Sequence, residues 1–139
     1  MENQSKEMLN TYALYHQNPI NKLTHYLGIP LIVFATIGLL HFVGWQHLNA
    51  ATVLILIVSI YYARAMDLKV AALFLLIASG FYVAASFLSL PINAGIFIFG
   101  WVLQLIGHHY FEKKKPAFLE NFEHLLIGPA WLIQRMIRF

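Results

Sequence analysis

The chain has 139 residues, 60% of them hydrophobic and 11% charged, with no cysteine, a formal charge of +3 and a mean hydropathy of +0.66. Soluble domains average about 45–50% apolar and about 25% charged residues, so this composition excludes a water-dispersed globule and leaves a single compact membrane domain over 1–139. It also excludes disulfides, thiolate catalysis and cysteine zinc sites, and Lys113, Lys114 and Lys115 directly after an apolar run fit a cytoplasmic lipid surface rather than nucleic acid.

Residues 1–15 include Glu2, Lys6 and Glu7 and no apolar stretch ending in a small-residue cleavage site, so the first apolar run is expected to stay in the mature protein. Residues 4–16 read as a short helix, after which Asn18 is an N-cap and Pro19 the first residue of the next helix. Four apolar runs follow, at 27–44, 48–64, 69–90 and 92–110. Each approaches the roughly 20 residues needed to cross a hydrocarbon core of about 30 Å. The second is short, and only Pro91 to Asn93 separate the third from the fourth, which predicts tilt or a tight helical hairpin.

Beyond the fourth run, Pro116 can start a helix over 117–127. There Phe118, Leu119, Phe122, Leu125 and Leu126 lie opposite Glu120, Glu123 and His124, as in a helix lying on a membrane surface. Gly128 and Pro129 are expected to interrupt it, with Trp131, Arg135 and Arg138 anchoring the last turns at the interface. The fold class is therefore all-α, an integral membrane four-helix bundle with short interfacial helices at both ends.

Charge supports the four-run layout independently of hydropathy. Lys6 and Lys22 precede the first run, Arg64, Asp67 and Lys69 lie around the second connection, and Lys113 to Lys115, Arg135 and Arg138 follow the fourth. The connections at 41–49 and 90–93 carry no Asp, Glu, Lys or Arg. Four crossings put every charge on one side, and the excess of Lys and Arg there predicts a multi-pass protein with cytoplasmic termini. The membrane would be a bacterial inner membrane or, in a eukaryote, the endoplasmic reticulum.

The same layout sorts the seven histidines. His41 and His47 fall in the uncharged connection, whereas His16, His25, His108, His109 and His124 fall on the charged side. Asn21 with His25, and His108 with Glu112, have the spacing that puts two side chains on one side of a helix. A histidine and a carboxylate so spaced, joined by a second histidine, make a set with open positions that suits non-haem Fe(II) handling O₂. Plainer readings stand beside this one. Interfacial histidines such as His41, His47 and His124 snorkel, Glu112 before the lysines suits a surface ion pair, and Tyr15, Tyr26, Trp101, Tyr110 and Trp131 suit an interface belt.

Two segments also resemble a known family. YHQNPINKLTH (15–25), with Pro30 in the following run, and GWVLQLIGHHYFEKKKPAFLEN (100–121) are similar to the membrane-embedded 2-hydroxy fatty acid dioxygenases of fatty acid α-oxidation. That family is known for degrading the phytosphingosine-derived fatty acid in the endoplasmic reticulum and has bacterial relatives. The resemblance implies an Fe(II)-dependent enzyme that takes a 2-hydroxy fatty acid and O₂ and returns an acid one carbon shorter. It points to His16, His25 and His108 as iron ligands, to Glu112 as a ligand or neighbouring carboxylate, and to Asn18 and Asn21 as orienting groups. His109 and His124 depart from the family pattern, so the ligand count stays open.

On this reading the substrate chelates iron through its carboxylate and hydroxyl oxygens, and its acyl chain lies between the spans. A small transporter or assembly factor is the alternative, and it calls for ionisable groups in the middle of the runs, where no Asp, Glu, Lys or Arg stands. Bis-histidine haem binding needs histidines at similar depth on facing spans, and a di-iron enzyme needs more histidines and carboxylates than these segments supply.

Overall fold

The computed structural model of the chain describes residues 6, 7, 9, 10, 19–107 and 124–137. Beyond a helical stretch at 6, 7, 9 and 10, the described residues form five helices, α1 (Pro19–Leu40), α2 (Ala50–Ala65), α3 (Leu68–Ser86), α4 (Leu90–Ile106) and α5 (His124–Ile137). A hairpin of two-residue strands, β1 (Gly44–Trp45) and β2 (Leu48–Asn49), joins α1 to α2, pairing Gly44 with Asn49 and Trp45 with Leu48. The chain is helical, as predicted.

The ends of these helices follow from individual residues. α1 opens on Pro19, whose missing N–H is harmless in a first turn. It covers 19–40 where 27–44 was predicted, because residues 41–49 turn back on themselves. The turn depends on Gly44 at φ +129°, a conformation closed to L side chains, and on Gln46 at φ 45°. Asn49 then caps α2, its Oδ1 accepting from the backbone of Ala51 at 3.0 Å and Thr52 at 3.1 Å, while Thr52 Oγ1 accepts from Asn49 N. Asp67 caps α3 through Lys69 N at 2.8 Å. Ser89 caps α4, which takes Pro91 into its first turn, so the connection lies at 87–89 rather than at 91–93.

The segment after residue 124 differs most from its prediction. Gly128 and Pro129 do not interrupt it, since α5 is one helix with Pro129 inside. Of the surface helix expected over 117–127, residues 117–123 lie outside the described residues; farther on, Ile127 and Ala130 are fully buried, and Trp131 and Ile133 nearly so. Trp131 is thus a packed residue and not an interface anchor. It stacks on Tyr26 at 5.8 Å and carries the Arg135 guanidinium 5.0 Å from its ring. Proline costs α5 a backbone bond to Leu125, which packing against α1 and α3 offsets.

The main core gathers Ile37, Ile55, Val58, Tyr62, Val70, Phe74 and Ile133 around alanines 51, 71, 78 and 130. Tyr62 and Phe74 meet edge to face at 5.1 Å, a geometry worth about 0.5–1.5 kcal/mol beyond burial. The largest helix contact is between α1 and α4, which run antiparallel. Glycine permits it. A Cβ on Gly28 would lie 3.1 Å from the Gly100 carbonyl oxygen, one on Gly100 would lie 2.8 Å from Ile32 Cγ1, and one on Gly38 would collide with the Asn93 carboxamide.

α4 is polar on the inside. Its buried residues are Asn93, Gly100 and Gln104, while Ile98, Phe99, Val102 and Leu105 are exposed. α2 likewise exposes Val53, Leu56, Ile57 and Ile60 at helical spacing. By length and composition, Lys22–Leu40 and Leu68–Ser86 can each cross a membrane, and α2 and α4, with 16 and 17 residues, fall at or just below the lower limit.

The glycine contacts separate two classes of substitution. Gly38→Ala should lower stability by about 1–3 kcal/mol, the usual cost of overpacking. Gly80→Ala, where nothing lies within 4 Å of the added methyl, should be neutral or stabilising by up to about 1 kcal/mol. Thermal unfolding in detergent distinguishes the two.

Candidate active site

The start of α1 and the finish of α4 come together at one end of the bundle, and polar side chains collect there. His25, in the second turn of α1, is fully buried. Gly28 follows it on the same side of the helix. Against Gly28 packs the Gln104 side chain, with Nε2 at 2.5 Å from where a Cβ would stand. Gln104 is 6% exposed, and its Nε2 has no hydrogen-bond partner among the described residues. The sequence reading passed over Gln104; the available signal was one uncharged polar residue inside an apolar run, one helical turn before His108.

Of the iron ligands and orienting groups expected from sequence, His25 alone has a described side chain. Asn21 lies in the first turn of α1, with only its backbone described. His16, Asn18, His108, His109 and Glu112 lie outside the described residues, and His124 opens α5 with its side chain likewise undescribed. Pro19, the first residue of α1, and Gly107, just past α4, both stand at the end that holds His25 and Gln104. Among the described residues no three His, Cys, Asp or Glu side chains gather in a metal-holding group.

His41 and His47 stand at the opposite end, as expected. His41 Nδ1 bonds the Gly38 carbonyl, and His47 Nδ1 lies 3.0 Å from Tyr82 Oη, which also accepts from Asn49 Nδ2 at 2.9 Å. The first bond stays within the end of α1, and the two to Tyr82 tie the hairpin to α3, a structural role.

An apolar groove of about 390 Å³ adjoins the polar end. Ile32 and Trp101 line it one to two turns from His25 and Gln104; Tyr62, Leu126 and Pro129 form one wall, and Ile37, Leu54 and Ile55 lie farthest away. A second groove of about 310 Å³ runs beside Pro30, Phe81 and Met136, and the two share Val33, Phe74 and Pro129. Volumes of about 300–1,000 Å³ are usual for small-molecule sites. Tyr62 fixes the wall, donating its hydroxyl proton to the Leu126 carbonyl and so tying α2 to α5.

A small helical bundle with apolar outer faces, a buried histidine and carboxamide at one end, and an apolar groove beside them has the parts of a lipid-handling protein. The chain belongs to the family described as 2-hydroxy-palmitic acid dioxygenase Mpo1-like, whose pattern it matches over residues 2–139. It is 31% identical over 133 residues, covering 92% of its own length and 76% of the relative, to the Saccharomyces cerevisiae protein named 2-hydroxy-palmitic acid dioxygenase MPO1. No solved structure matches it.

Tyr62→Phe removes the tie to α5 and should cost about 1 kcal/mol, read as an earlier thermal transition in detergent.

Proposed function

We propose that the protein is an Fe(II)-dependent dioxygenase that shortens 2-hydroxy fatty acids by one carbon, embedded in a membrane by four spans with its termini cytoplasmic. The observation that carries this reading is a buried histidine and carboxamide one to two helical turns from an apolar groove, in a chain of the 2-hydroxy-palmitic acid dioxygenase Mpo1-like family. The relative's name supplies the substrate class and reaction type. Support for the bilayer comes from the inverted distribution of side chains, with Asn93 and Gln104 inside α4 and its large apolar residues outside.

His25 fits the proposed metal by its chemistry. Its imidazole is wholly withdrawn from water, and imidazole with carboxylate is the donor set of non-haem Fe(II) oxygenases. On this proposal His16, His25 and His108 hold the ion with Glu112, and Asn18 and Asn21 orient ligands or substrate. Bound Fe(II) would supply the activation of O₂ and the polarisation of the substrate oxygens.

The chain's own residues do the rest. Burial holds His25 in one orientation. The groove takes the acyl chain alongside α1, with Ile32 and Trp101 nearest the head group and Ile37 and Leu54 farthest from it. From His25 to Ile37 the helix rises about 18 Å, room for a long chain laid beside it. Written in balance without an added reductant, one 2-hydroxy acid and one O₂ give the shortened acid, carbon dioxide and water. The C1–C2 bond breaks, both carbons are oxidised and O₂ is reduced.

Anaerobically purified protein should contain stoichiometric iron by mass spectrometry, and His16→Ala, His25→Ala and His108→Ala should each lose it together with activity; iron retained in full by all three would end the proposed site. Supplied with O₂, the protein should convert 2-hydroxypalmitate to the fifteen-carbon acid and leave palmitate untouched, whereas consumption of palmitate alone would indicate a different enzyme. Ile37→Phe, which fills the far end of the groove, should move the preference towards shorter chains in a competition assay.

A further inference from the structure

Two buried amides face inward from α4, and they differ. Asn93 uses its Nδ2 on the Ala85 carbonyl at the end of α3, at 3.4 Å, and on the Leu88 carbonyl of the connection, at 3.5 Å, and so serves the packing there, although its Oδ1 has no partner among the described residues. Gln104 does nothing comparable. Its Nε2 is buried against Gly28 without an acceptor among the described residues, although a buried donor left unpaired is costly and rare in a native protein. Packing alone keeps the carboxamide there, and its rotatable χ angles allow it to swing without moving α4. One helical turn away Trp101 begins the groove, and one turn along α1 from Gly28 stands His25.

We infer that Gln104 is a positioning residue whose Nε2–H₂ donates to the carboxylate of the fatty acid when its chain lies in the groove. This rests on the function proposed above and adds to it the group that holds the acid end. The chemistry selects the carboxylate. An amide nitrogen offers donors only, an ionised carboxylate offers acceptors only, and the bond between them is charge-assisted, which makes it stronger than one to a hydroxyl. Gly28 is the enabling neighbour, since any side chain there would occupy the space that the carboxamide needs.

The test measures binding by ligand-induced stabilisation in detergent, so it does not depend on turnover. Palmitate, 2-hydroxypalmitate and 1-hexadecanol are titrated against wild type, Gln104→Met and Gln104→Glu. Methionine keeps the length and apolar bulk and removes the unpaired donor, so the ligand-free variant should unfold at or above the wild-type temperature. Both acids should bind it about ten- to a hundredfold more weakly, while 1-hexadecanol binds as before. Gln104→Glu should bind the acids more weakly still, through charge repulsion, and serves alone if the methionine variant fails to fold. Equal affinity of the acids for wild type and variants, or equal weakening for the alcohol, overturns the inference, as does failure of the acids to bind wild type. Wild type that binds the acids through Gln104 but never shortens 2-hydroxypalmitate would overturn the proposed reaction and leave this contact standing.

Discussion

The close approach of α1 to α4 is the contact from which the rest of the architecture follows. Gly28 and Gly100 bring two backbones together near one end and Gly38 receives the Asn93 carboxamide nearer the other, so one antiparallel register is fixed along the pair. Small residues do this well where no water is present to drive helices together. The register sets His25 beside the end of α4 and leaves Gln104 pressed on Gly28. It also puts Pro19 and Gly107 at that same end.

Around that pair, the α2–α3 hairpin and α5 complete the bundle without covering it. α4 keeps its amides and glycine inward and its isoleucine, phenylalanine and valine outward, the reverse of a helix on a water-soluble core. An outer surface of this kind is stable against hydrocarbon and unstable against water. α5 has the opposite character, with Ile127, Trp131 and Ile133 turned inward, and so closes one side of the groove.

The sequence made the helical character and the approximate position of four runs legible because length and apolar content report them directly. Pro19 marked the start of α1 and Asn49 and Ser89 supply caps that composition hides inside apolar runs, which is why the runs were drawn a few residues out of place. α5 was misread because Gly128–Pro129 is a strong local breaker, and tertiary packing outweighed it. Gln104 was passed over for a different reason. Charge and histidine spacing carry a visible pattern, whereas a lone glutamine acquires meaning from the neighbour it meets, here Gly28, which lies far away in the chain. Of the proposed ligands, His25 was placed at the polar end, and its burial was not readable from spacing.

The groove beside Ile32 and Trp101 is open along one side rather than enclosed. Taken from water, an acyl chain would gain about 0.8 kcal/mol for each methylene buried there. Taken sideways from a bilayer it gains almost nothing, because it leaves one hydrocarbon surrounding for another. In the proposed membrane setting every phospholipid tail would be a competitor of nearly equal standing, and selection would pass to the few polar atoms that can tell a free hydroxy acid from an ester.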